Sequence, residues 1–599
     1  MQERIREITT DVLVIGGGAA GASAAQRAKG QGVDVTIVVK GLLGRSGCSA
    51  NFGLLEVAAG PLLPNAMLSI GKNFMAMLSN AGIRVVDKLP EQYRVAMYVA
   101  IKYYMMYLVD QDYIFDSMIW SVREFFPALE EKGLYLRRNS RGELVTNTDK
   151  SVVAAFFYKY GFTGTALMDM KRKEVKADAI RVLEETSVTT LLMNNGQCVG
   201  ALAVDYARGH VYVIKAKSTI LATGHTNWLA TRATGTREQA GNGFAMAFRA
   251  GCELKNMEMQ WWHCTDTHGG PSAMGPKLHN YPSPLPATDK RLQMINTDGE
   301  VFYDSSWNPL AGAPYIQQMK ALYKQVKAGK SQWDGGFYGS YKHIDQNILK
   351  DYLYHYEHYK KLGYDMSKDT IECGASWHMS SGGVECNPKS METSLPGLYV
   401  AGSVSANFLG GIQFVCYDGY MAGKNAAERA KITHRVEVDD AQVKGEVERI
   451  TGFLTNSDKK YVPMDLKEKI RKTMWNYMGF VKSETSIKTA LDELKAIRED
   501  MLPRMYARSS GKFNYDLIDA IDVPDMLDAC EMASFASLER HESRGPFFRE
   551  EYPFTDNKNW LKYIVVRKGN GGMKARFEPV NPKYLRPEQE KADYFTVDY

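Results

Sequence analysis

An apolar stretch near the amino terminus runs directly into a glycine-rich turn and then into an alanine-rich stretch. Residues 11–15 read Asp-Val-Leu-Val-Ile, residues 16–21 read Gly-Gly-Gly-Ala-Ala-Gly, and alanines recur over residues 22–28. This order predicts a buried strand, a tight turn and a helix, which is the setting in which a G-x-G-x-x-G pattern binds a dinucleotide. A second apolar stretch at residues 33–39 follows at β-α-β spacing. The feature therefore predicts an α/β fold built on a parallel sheet.

The glycines of this turn have different expected roles. Gly16 permits the tight turn, Gly18 lets the backbone approach a pyrophosphate, and Gly21 lets the helix pack closely against the strand. The phosphates would then meet the amino-terminal, positive end of the helix. Ala19 and Ala20 lie in the same turn, so we expect them to contact the cofactor as well.

The end of the second predicted strand lacks the acidic residue that dinucleotide folds place on the ribose hydroxyls. Val39 and Lys40 occupy that place, which argues against a nicotinamide nucleotide. A second turn of small residues, 44–53, follows and can run along a longer cofactor. The sequence therefore favours FAD. Further contacts are expected from Lys40, Arg45, Ser46, Gly47, Asn51 and Gly53.

Later parts of the chain repeat this pattern of an apolar strand followed by a small-residue turn. One strand runs from residue 211 to residue 221, and another covers residues 398–400. A strand that ends in such a turn can lie directly against a dinucleotide. The Gly410-Gly411 turn can offer backbone N–H groups to the pyrimidine end of FAD, assisted by a helix that is predicted to begin near Tyr417. The additional expected cofactor contacts are Ala222, Thr223, Gly224, Asn242, Gly402, Ser403, Gly410, Gly411 and Ile412.

Length, charge and cysteine content exclude several classes of protein. A chain of 599 residues has room for several domains, and 74 basic against 69 acidic residues give no charge bias toward nucleic acid or an anionic membrane. The chain has no run of about 18 apolar residues, and its amino terminus lacks the apolar core of a signal peptide, so we expect a cytoplasmic protein without direct membrane insertion. The eight cysteines form no C-x-x-C pair, so no metal centre is expected within this chain.

Changes in composition predict the domain organisation. The fold class is α/β, with a Rossmann-like FAD-binding domain split by an α+β capping domain and followed by a C-terminal helical domain. A hairpin turn is predicted at Asp298-Gly299 within the capping domain. The predicted boundaries are 1–240 for the first part of the FAD-binding domain with a helical insertion at about 62–135, 241–370 for the capping domain, 371–435 for the second part of the FAD-binding domain, 436–540 for the helical domain, and 541–599 for a C-terminal extended segment.

Taken in chain order, these features resemble the flavoprotein subunits of the succinate dehydrogenase, fumarate reductase and adenylylsulfate reductase superfamily. The resemblance covers most of the chain and includes residues 296–300, 395–402 and 541–545. It implies FAD, a capping domain over the isoalloxazine ring, a helical domain, and a partner that is a ferredoxin-like iron–sulfur subunit. It also implies a flavin oxidoreductase that acts on a small molecule.

The chain departs from this family at its most characteristic positions. Gly47 stands where the succinate and fumarate enzymes carry the histidine that binds FAD covalently, so non-covalent FAD is expected. Phe408 stands in place of an arginine that clamps a substrate carboxylate, and Ala313 stands in place of the arginine that donates a proton. Phenylalanine cannot replace a bidentate arginine–carboxylate contact. Succinate and fumarate are therefore expected to be poor substrates.

Two histidines of the family pattern remain, and the resemblance makes them the candidate catalytic residues. They are His263 and His378, and each could hydrogen-bond an anionic or carbonyl group or transfer a proton. Two alternatives stay open: the alpha subunit of an adenylylsulfate reductase proper, or a flavin electron-transfer or adaptor protein without a substrate of its own. The residues expected to complete a substrate pocket are Trp262, Trp377, Phe408 and Arg544.

Overall fold

A computed structural model of the chain describes most of its residues. The helical insertion predicted at 62–135 is covered only from residue 101 onward, and Ala313 lies outside the described residues. The described residues are 5–50, 55–57, 101–102, 105–135, 153–155, 163–267, 292–304, 314–332, 335–344, 349, 356, 359–407, 410–508 and 510–595.

The strands and helices are named here in chain order. The strands are β1 (Ile5–Ile15), β2 (Val35–Val38), β3 (Leu55–Val57), β4 (Val153–Ala155), β5 (Arg181–Leu183), β6 (Thr186–Asn194), β7 (Gln197–Asp205), β8 (His210–Leu221), β9 (Leu254–Lys255), β10 (Gln260–Asp266), β11 (Gln293–Ile295), β12 (Val301–Tyr303), β13 (Gly336–Ser340), β14 (Thr370–Ser380), β15 (Gly383–Val384), β16 (Leu398–Val400), β17 (Val481–Lys482), β18 (Phe548–Arg549), β19 (Phe554–Asp556), β20 (Lys562–Gly569), β21 (Gly572–Pro579) and β22 (Lys591–Asp593). The helices are α1 (Ala19–Lys29), α2 (Gln111–Trp120), α3 (Phe126–Glu131), α4 (Thr163–Ala177), α5 (Asn242–Ala250), α6 (Pro314–Lys327), α7 (Ile412–Ile432), α8 (Asp440–Thr455), α9 (Pro463–Tyr477), α10 (Glu484–Ala496), α11 (Tyr515–Glu539) and α12 (Asn557–Trp560).

The largest sheet has seven strands and is centred on β1. Its order is β5-β2-β1-β8-β7-β6. β16 pairs with residues 219–221 of β8, beyond the residues that β7 covers. β1 pairs in parallel with both β2 and β8, and its last residues are apolar on both faces because both faces are covered. Val12 and Val14 pack with the alanines of α1, whereas Leu13 and Ile15 pack with Phe244 in α5. The predicted strand, glycine turn and helix are all present.

A second sheet has five strands in the order β10-β14-β13-β11-β12. Its β11–β12 hairpin contains the predicted turn, with Gly299 at a φ of +81°. β14 pairs antiparallel with β10 and β13, so residues 371–380 belong to the same sheet as residues 260–266. The predicted division after residue 370 therefore does not follow the strand pairing.

The region after residue 436 is helical, as its charged pattern predicts. α9, α10 and α11 pack against one another, and α11 also contacts α5. Hydrogen-bonding side chains cap three of these helices at their amino termini: Asp439, Ser483 and Asn514. None of the described helices is long and apolar enough to cross a membrane.

The last part of the chain differs from the extended segment predicted for 541–599. β20 and β21 form an antiparallel hairpin, and β20 also pairs with β9, which joins β15 in the same four-stranded sheet. The prediction is wrong here because Asn570-Gly571, a strong two-residue hairpin signal, lies between two strand-like stretches. This hairpin brings the carboxyl-terminal region next to the residues that precede β10.

Candidate functional site

The glycine turn after β1 is built so that side chains cannot enter it. Gly16 has a φ of +117°, and a Cβ there would lie 2.2 Å from the Ala222 carbonyl oxygen. A Cβ on Gly21 would lie 1.9 Å from the Gly16 carbonyl oxygen. Only glycine fits these positions, because the turn, α1 and the end of β8 approach each other at backbone distance. The close approach matches the predicted role of each residue.

Two of the described helices that begin beside this sheet, α1 and α7, have amino termini suited to an anion. α1 starts after Gly18 and α7 starts after Gly411; neither residue offers a side-chain cap, and neither helix has an acid in its first turn. Gly410 and Gly411 have φ values of +115° and +95°. Helix amino termini of this kind bind phosphate groups. α7 begins at Ile412, five residues before the predicted start at Tyr417.

Thr223, just after β8, places a hydroxyl group beside the glycine turn. Thr223 Oγ1 is buried and has no hydrogen-bond partner among the residues that the structure describes. The neighbouring Gly224 has a φ of +85° and closes the turn. Ala19 N–H donates to Ser49 Oγ at 3.1 Å, which joins the 44–53 turn to the start of α1. Ala20 and Ala222 are buried beside it, so these residues fit a dinucleotide laid along the turn.

Two predicted cofactor contacts have another role in the structure. The Lys40 ammonium donates to Asp522 Oδ1 at 2.5 Å and to Asn242 Oδ1 at 3.2 Å. Asn242 Nδ2 donates to Asp522 and also to Asp525 Oδ2 at 2.5 Å. Both side chains therefore bind α11. Because their polar atoms already have partners there, they are not available for the cofactor contacts that the sequence predicted.

The second turn is also held by contacts within the chain. The Arg45 guanidinium, a predicted cofactor contact, forms an ion pair with the Asp169 carboxylate at 2.8 Å instead. Ser46 Oγ donates to the Leu42 carbonyl oxygen at 3.0 Å. Gly47 has a φ of +78° and open space where a Cβ would be. Asn51, Gly53 and Phe408 lie outside the described residues.

The turn after β16 is bonded by a buried carboxyl group of α7 that sequence reasoning missed. Asp418 in α7 accepts hydrogen bonds from Gly402 N–H at 3.1 Å and from the Tyr113 hydroxyl at 2.7 Å. Burial raises the pKa of Asp418 to about 8. The neighbouring Ser403 is buried. The Gly402 N–H is therefore used within the protein.

The two candidate catalytic histidines lie side by side on adjacent strands. His263 is buried in β10 and His378 is half-buried in β14, and their ring centroids are 4.0 Å apart. The strand pairing shifts at this point: Trp261 pairs with Met379 and Trp262 pairs with Trp377. His378 is thus the extra residue of a β-bulge, a device that re-aims a side chain. The bulge turns His378 toward His263.

The β10–β14 pair separates His263 from the two tryptophans. Alternation along a strand places His263 and Thr265 on one face, where Thr265 hydrogen-bonds Ser376 at 2.7 Å. Trp262 and Trp377 point to the other face; they are 5.6 Å apart at their centroids and almost fully buried. The two tryptophans therefore lie on the face opposite to His263, which argues against a pocket that they and His263 line together.

Arg544, the remaining predicted substrate contact, is fully used inside the protein. Its guanidinium binds Glu542 through two hydrogen bonds of 2.7 and 2.9 Å and also donates to the Met106 carbonyl oxygen. Arg540 joins Glu542 to Glu258, and all four charged side chains are buried. Burial raises the pKa of Glu258 although Arg540 opposes the rise. This group is a structural ion network, and its geometry argues against Arg544 as a substrate contact.

Comparison with known proteins identifies the fold that carries this site. The sequence model described as "FAD binding domain" matches residues 11–416, more than half of the chain. The chain belongs to this FAD-binding family. A second model, described as "Fumarate reductase flavoprotein C-term", matches residues 467–593 of the flavoprotein. FAD is therefore its cofactor, and it is an FAD-dependent oxidoreductase.

Curated relatives of the flavoprotein cover nearly its whole length. An uncharacterized FAD-dependent oxidoreductase of Methanocaldococcus jannaschii is 27% identical over 96% of this chain and 98% of its own. One of the subunits of the fumarate reductase (CoM/CoB) of Methanothermobacter marburgensis is 26% identical over 93% and 97% of the two chains. These relatives support the superfamily resemblance.

Solved structures show the same fold at lower identity. A chain of E. coli quinol fumarate reductase superposes with a TM-score of 0.80 at 21% identity, covering 98% of this flavoprotein and 99% of that chain. Adenylylsulfate reductase of Archaeoglobus fulgidus superposes with a TM-score of 0.74 at 18% identity, covering 98% of each chain. Both fumarate and adenylylsulfate reductases thus share this architecture.

Proposed function

We propose that the flavoprotein exchanges two electrons between FAD and a small substrate whose electronegative end is held by His263 and His378. The single observation that carries this proposal is the histidine pair, with its 4.0 Å ring separation at a bulge. Bound FAD supplies the redox chemistry. The histidines would orient the substrate and hold or move a proton at a ring nitrogen.

The proposed arrangement is an FAD-binding domain split by a capping domain. The seven-stranded sheet, the start of α1 and the start of α7 would bind FAD, and the five-stranded sheet would place the histidine pair over the cofactor. We propose that FAD is bound non-covalently, because Gly47 has no side chain that could form the bond.

The proposed substrate is not a dicarboxylate. Phe408 and Ala313 replace the two arginines that the resemblance assigns to carboxylate binding and proton donation. Lys320, in helix α6, does not replace either arginine: its amino group contacts the carbonyl oxygen and the ring of Tyr594, and burial lowers its pKa to about 7. Lost charge-assisted hydrogen bonds are worth ~1.5–3 kcal/mol each, so fumarate binding and reduction should both be weak.

Fumarate reduction by the FAD-loaded flavoprotein, with reduced viologen as donor, tests the proposal on the substrate. We expect turnover far below the ~10 s⁻¹ typical of enzymes. A rate near that value would contradict the proposal. His378→Gln provides the matched test of the site: it should weaken binding of carboxylates, acyl thioesters, adenylylsulfate or sulfite in a thermal-shift screen, whichever of these shifts the unaltered protein.

The proposed partner is a ferredoxin-like iron–sulfur subunit. The proposal rests on the superfamily resemblance and on relatives that are named as subunits. Affinity purification of the tagged flavoprotein from its source cells, followed by iron analysis and native mass, would test it. Full activity in an iron-free single chain or homo-oligomer would contradict it.

A further inference from the structure

The hydroxyl of Thr234 makes the contact that bears most directly on the histidine pair. Thr234 Oγ1 lies 2.5 Å from His378 Nδ1. Thr234 belongs to none of the turns expected to bind FAD, and it is far from His378 in the sequence. The contact therefore needs an explanation beyond cofactor binding.

The backbone around Thr234 is fixed against the same strand that carries His378. Thr234 N–H donates to the Trp377 carbonyl oxygen at 3.0 Å, and Trp377 N–H donates to the Arg232 carbonyl oxygen at 3.0 Å. These two bonds form a parallel bridge between Ala233 and Trp377. The bridge lies on the edge of β14 that β13 leaves uncovered, since β13 pairs only with residues 370–374. Thr234 is thus held in register with the bulge.

The chemistry of a hydroxyl determines what this contact does to the imidazole. No second acceptor for the Thr234 hydroxyl lies among the residues that the structure describes. The Thr234 hydroxyl proton therefore makes a hydrogen bond only if Thr234 donates to Nδ1 of His378. Neutral His378 then carries its own proton on Nε2. The other nitrogen of the ring becomes a hydrogen-bond donor.

A hydroxyl differs from a carboxylate in the same place. A carboxylate would stabilise an imidazolium, whereas a hydroxyl orients the ring without adding a counter-charge. His263, 4.0 Å away between ring centroids, disfavours a second positive charge as well. Neither of these two neighbours supplies a counter-charge to a protonated His378.

We propose that Thr234 is a positioning residue that fixes His378 as a neutral hydrogen-bond donor through Nε2–H. The substrate group that such a donor recognises is a carbonyl or oxyanion oxygen. The recognition of such an oxygen rests on the proposed function. The tautomer of His378 does not depend on it. In this tautomer His378 donates to the substrate through Nε2–H and can deliver that proton, whereas Nε2 does not accept a proton in the resting enzyme.

The direct test is nitrogen-15 magic-angle-spinning NMR of the histidine-labelled, FAD-loaded flavoprotein. The shifts of the two ring nitrogens distinguish the tautomers, and the signals missing from His378→Gln assign this residue. We expect unprotonated Nδ1 and protonated Nε2 in the unaltered protein. Thr234→Ser should keep this pattern. Thr234→Val should change the tautomer ratio by about three- to tenfold, the effect of one neutral hydrogen bond.

The controls separate a specific effect from a loss of structure. Thr455→Val removes a hydroxyl that bonds the Thr451 carbonyl oxygen in α8 and should leave the His378 signals unchanged. Flavin content and thermal midpoint should be similar in all Thr234 variants. A proton on Nδ1 in the unaltered protein, or an unchanged pattern in Thr234→Val, would overturn the inference.

A second measurement distinguishes this inference from the proposed function. Sulfite, which adds to oxidised flavins, can be titrated by the loss of visible flavin absorbance in each variant. Weaker sulfite affinity in Thr234→Val, by about three- to tenfold, with recovery in Thr234→Ser supports the whole argument. If the tautomer is as proposed but neither sulfite nor any substrate binding changes in His378→Gln, the proposed function fails and the positioning role of Thr234 stands.

Discussion

At the scale of single residues, a buried carboxyl group with a raised pKa lies next to the turns proposed to bind FAD. This is the carboxyl group of Asp418, which is fully buried and has only the Gly402 N–H and the Tyr113 hydroxyl as described partners. Burial raises the pKa of Asp418 from 3.8 to about 8. The native protein therefore keeps a proton that the unfolded chain releases near pH 4.

Asp418→Asn should make the stability less dependent on pH. Because the native state binds the extra proton between about pH 4 and pH 8, the unaltered protein loses stability as pH rises through this window, by at most about 1.4 kcal/mol per unit. Asparagine has no such proton, so the variant should gain stability relative to the unaltered protein at pH 8 compared with pH 5. Chemical denaturation at both values measures the difference, with the exposed Glu448→Gln as control. An equal difference at both values would contradict the assigned titration.

Gly21→Ala should release the cofactor. A Cβ at this position would lie 1.9 Å from the Gly16 carbonyl oxygen, and overpacking of this kind costs typically ~1–3 kcal/mol. Flavin affinity should fall by about tenfold or more, measured as flavin bound per chain after dialysis. Gly30→Ala, at the other end of α1 where φ is −62° and the nearest contact is 3.4 Å, should keep its flavin. Equal retention by both variants would show that close packing at Gly21 is dispensable.

At the scale of elements, α11 joins the helical region to the cofactor region through a row of acids. Asp522 is bonded by Lys40 and by the buried Lys467, and Asp525 is bonded by Asn242 and Arg249. Burial alone would raise the pKa of Asp522, but the two lysines lower it to about 2. Acids spaced three apart are neighbours on a helix surface, and a row of five winds partly around the helix. The row is Asp519, Asp522, Asp525, Asp528 and Glu531.

Asp522→Asn should destabilise the protein by at most about 3–5 kcal/mol at neutral pH, since it removes the carboxylate that Lys40 and the buried Lys467 share and leaves Lys467 with Asp519 alone. The lowered pKa means that this contribution is complete above pH 4 and is lost as pH falls toward 2. Urea denaturation at pH 7 and pH 3 measures both effects. Asp516→Asn, which breaks an exposed pair with Arg508, should cost less than about 1 kcal/mol. Similar losses in the two variants would contradict the role given to burial.

The sequence predicts elements better than it predicts the contacts between them. β1, its glycine turn and α1 are predictable because apolar runs and glycines are local signals. The sequence places the start of α7 near Tyr417, whereas in the structure the helix begins at Ile412, directly after Gly410 and Gly411 with their positive φ values. The hairpin of β20 and β21 is detectable from Asn570-Gly571, although the Pro- and Gly-rich composition around it favours an extended segment.

The site residues, too, are predictable only where the signal is local in the sequence. His263 and His378 are predictable from the resemblance, but the bulge that joins them is a matter of strand register. Lys40 is tied to Asp522, a residue 482 positions away in the sequence, and no local pattern reveals such a partner. Thr234 is not predictable from the sequence for the same reason, because its hydroxyl contacts His378 only when the chain around Thr234 lies beside β14.

At the scale of the whole molecule, Glu542 joins parts of the chain that are distant in sequence. Its carboxylate binds Arg540 and Arg544 and accepts a hydrogen bond from Asp556 N–H at 2.9 Å. Through these residues it reaches Glu258, before β10, and the Met106 carbonyl oxygen. The network therefore fixes the carboxyl-terminal region against the sheet that carries the histidine pair.

Glu542→Gln should destabilise the whole protein by about 3–5 kcal/mol, because it leaves two buried guanidinium groups with one remaining carboxylate. The double variant Glu542→Gln/Arg544→Met leaves only the matched pair of Arg540 and Glu258, so it should be more stable than Glu542→Gln alone. Chemical denaturation of both single variants and the double variant closes the cycle. Glu590→Gln, which breaks an exposed pair with Lys558, is the control and should cost less than about 1 kcal/mol. If the double variant loses the sum of the two single losses, the network is not acting as one charge-balanced unit.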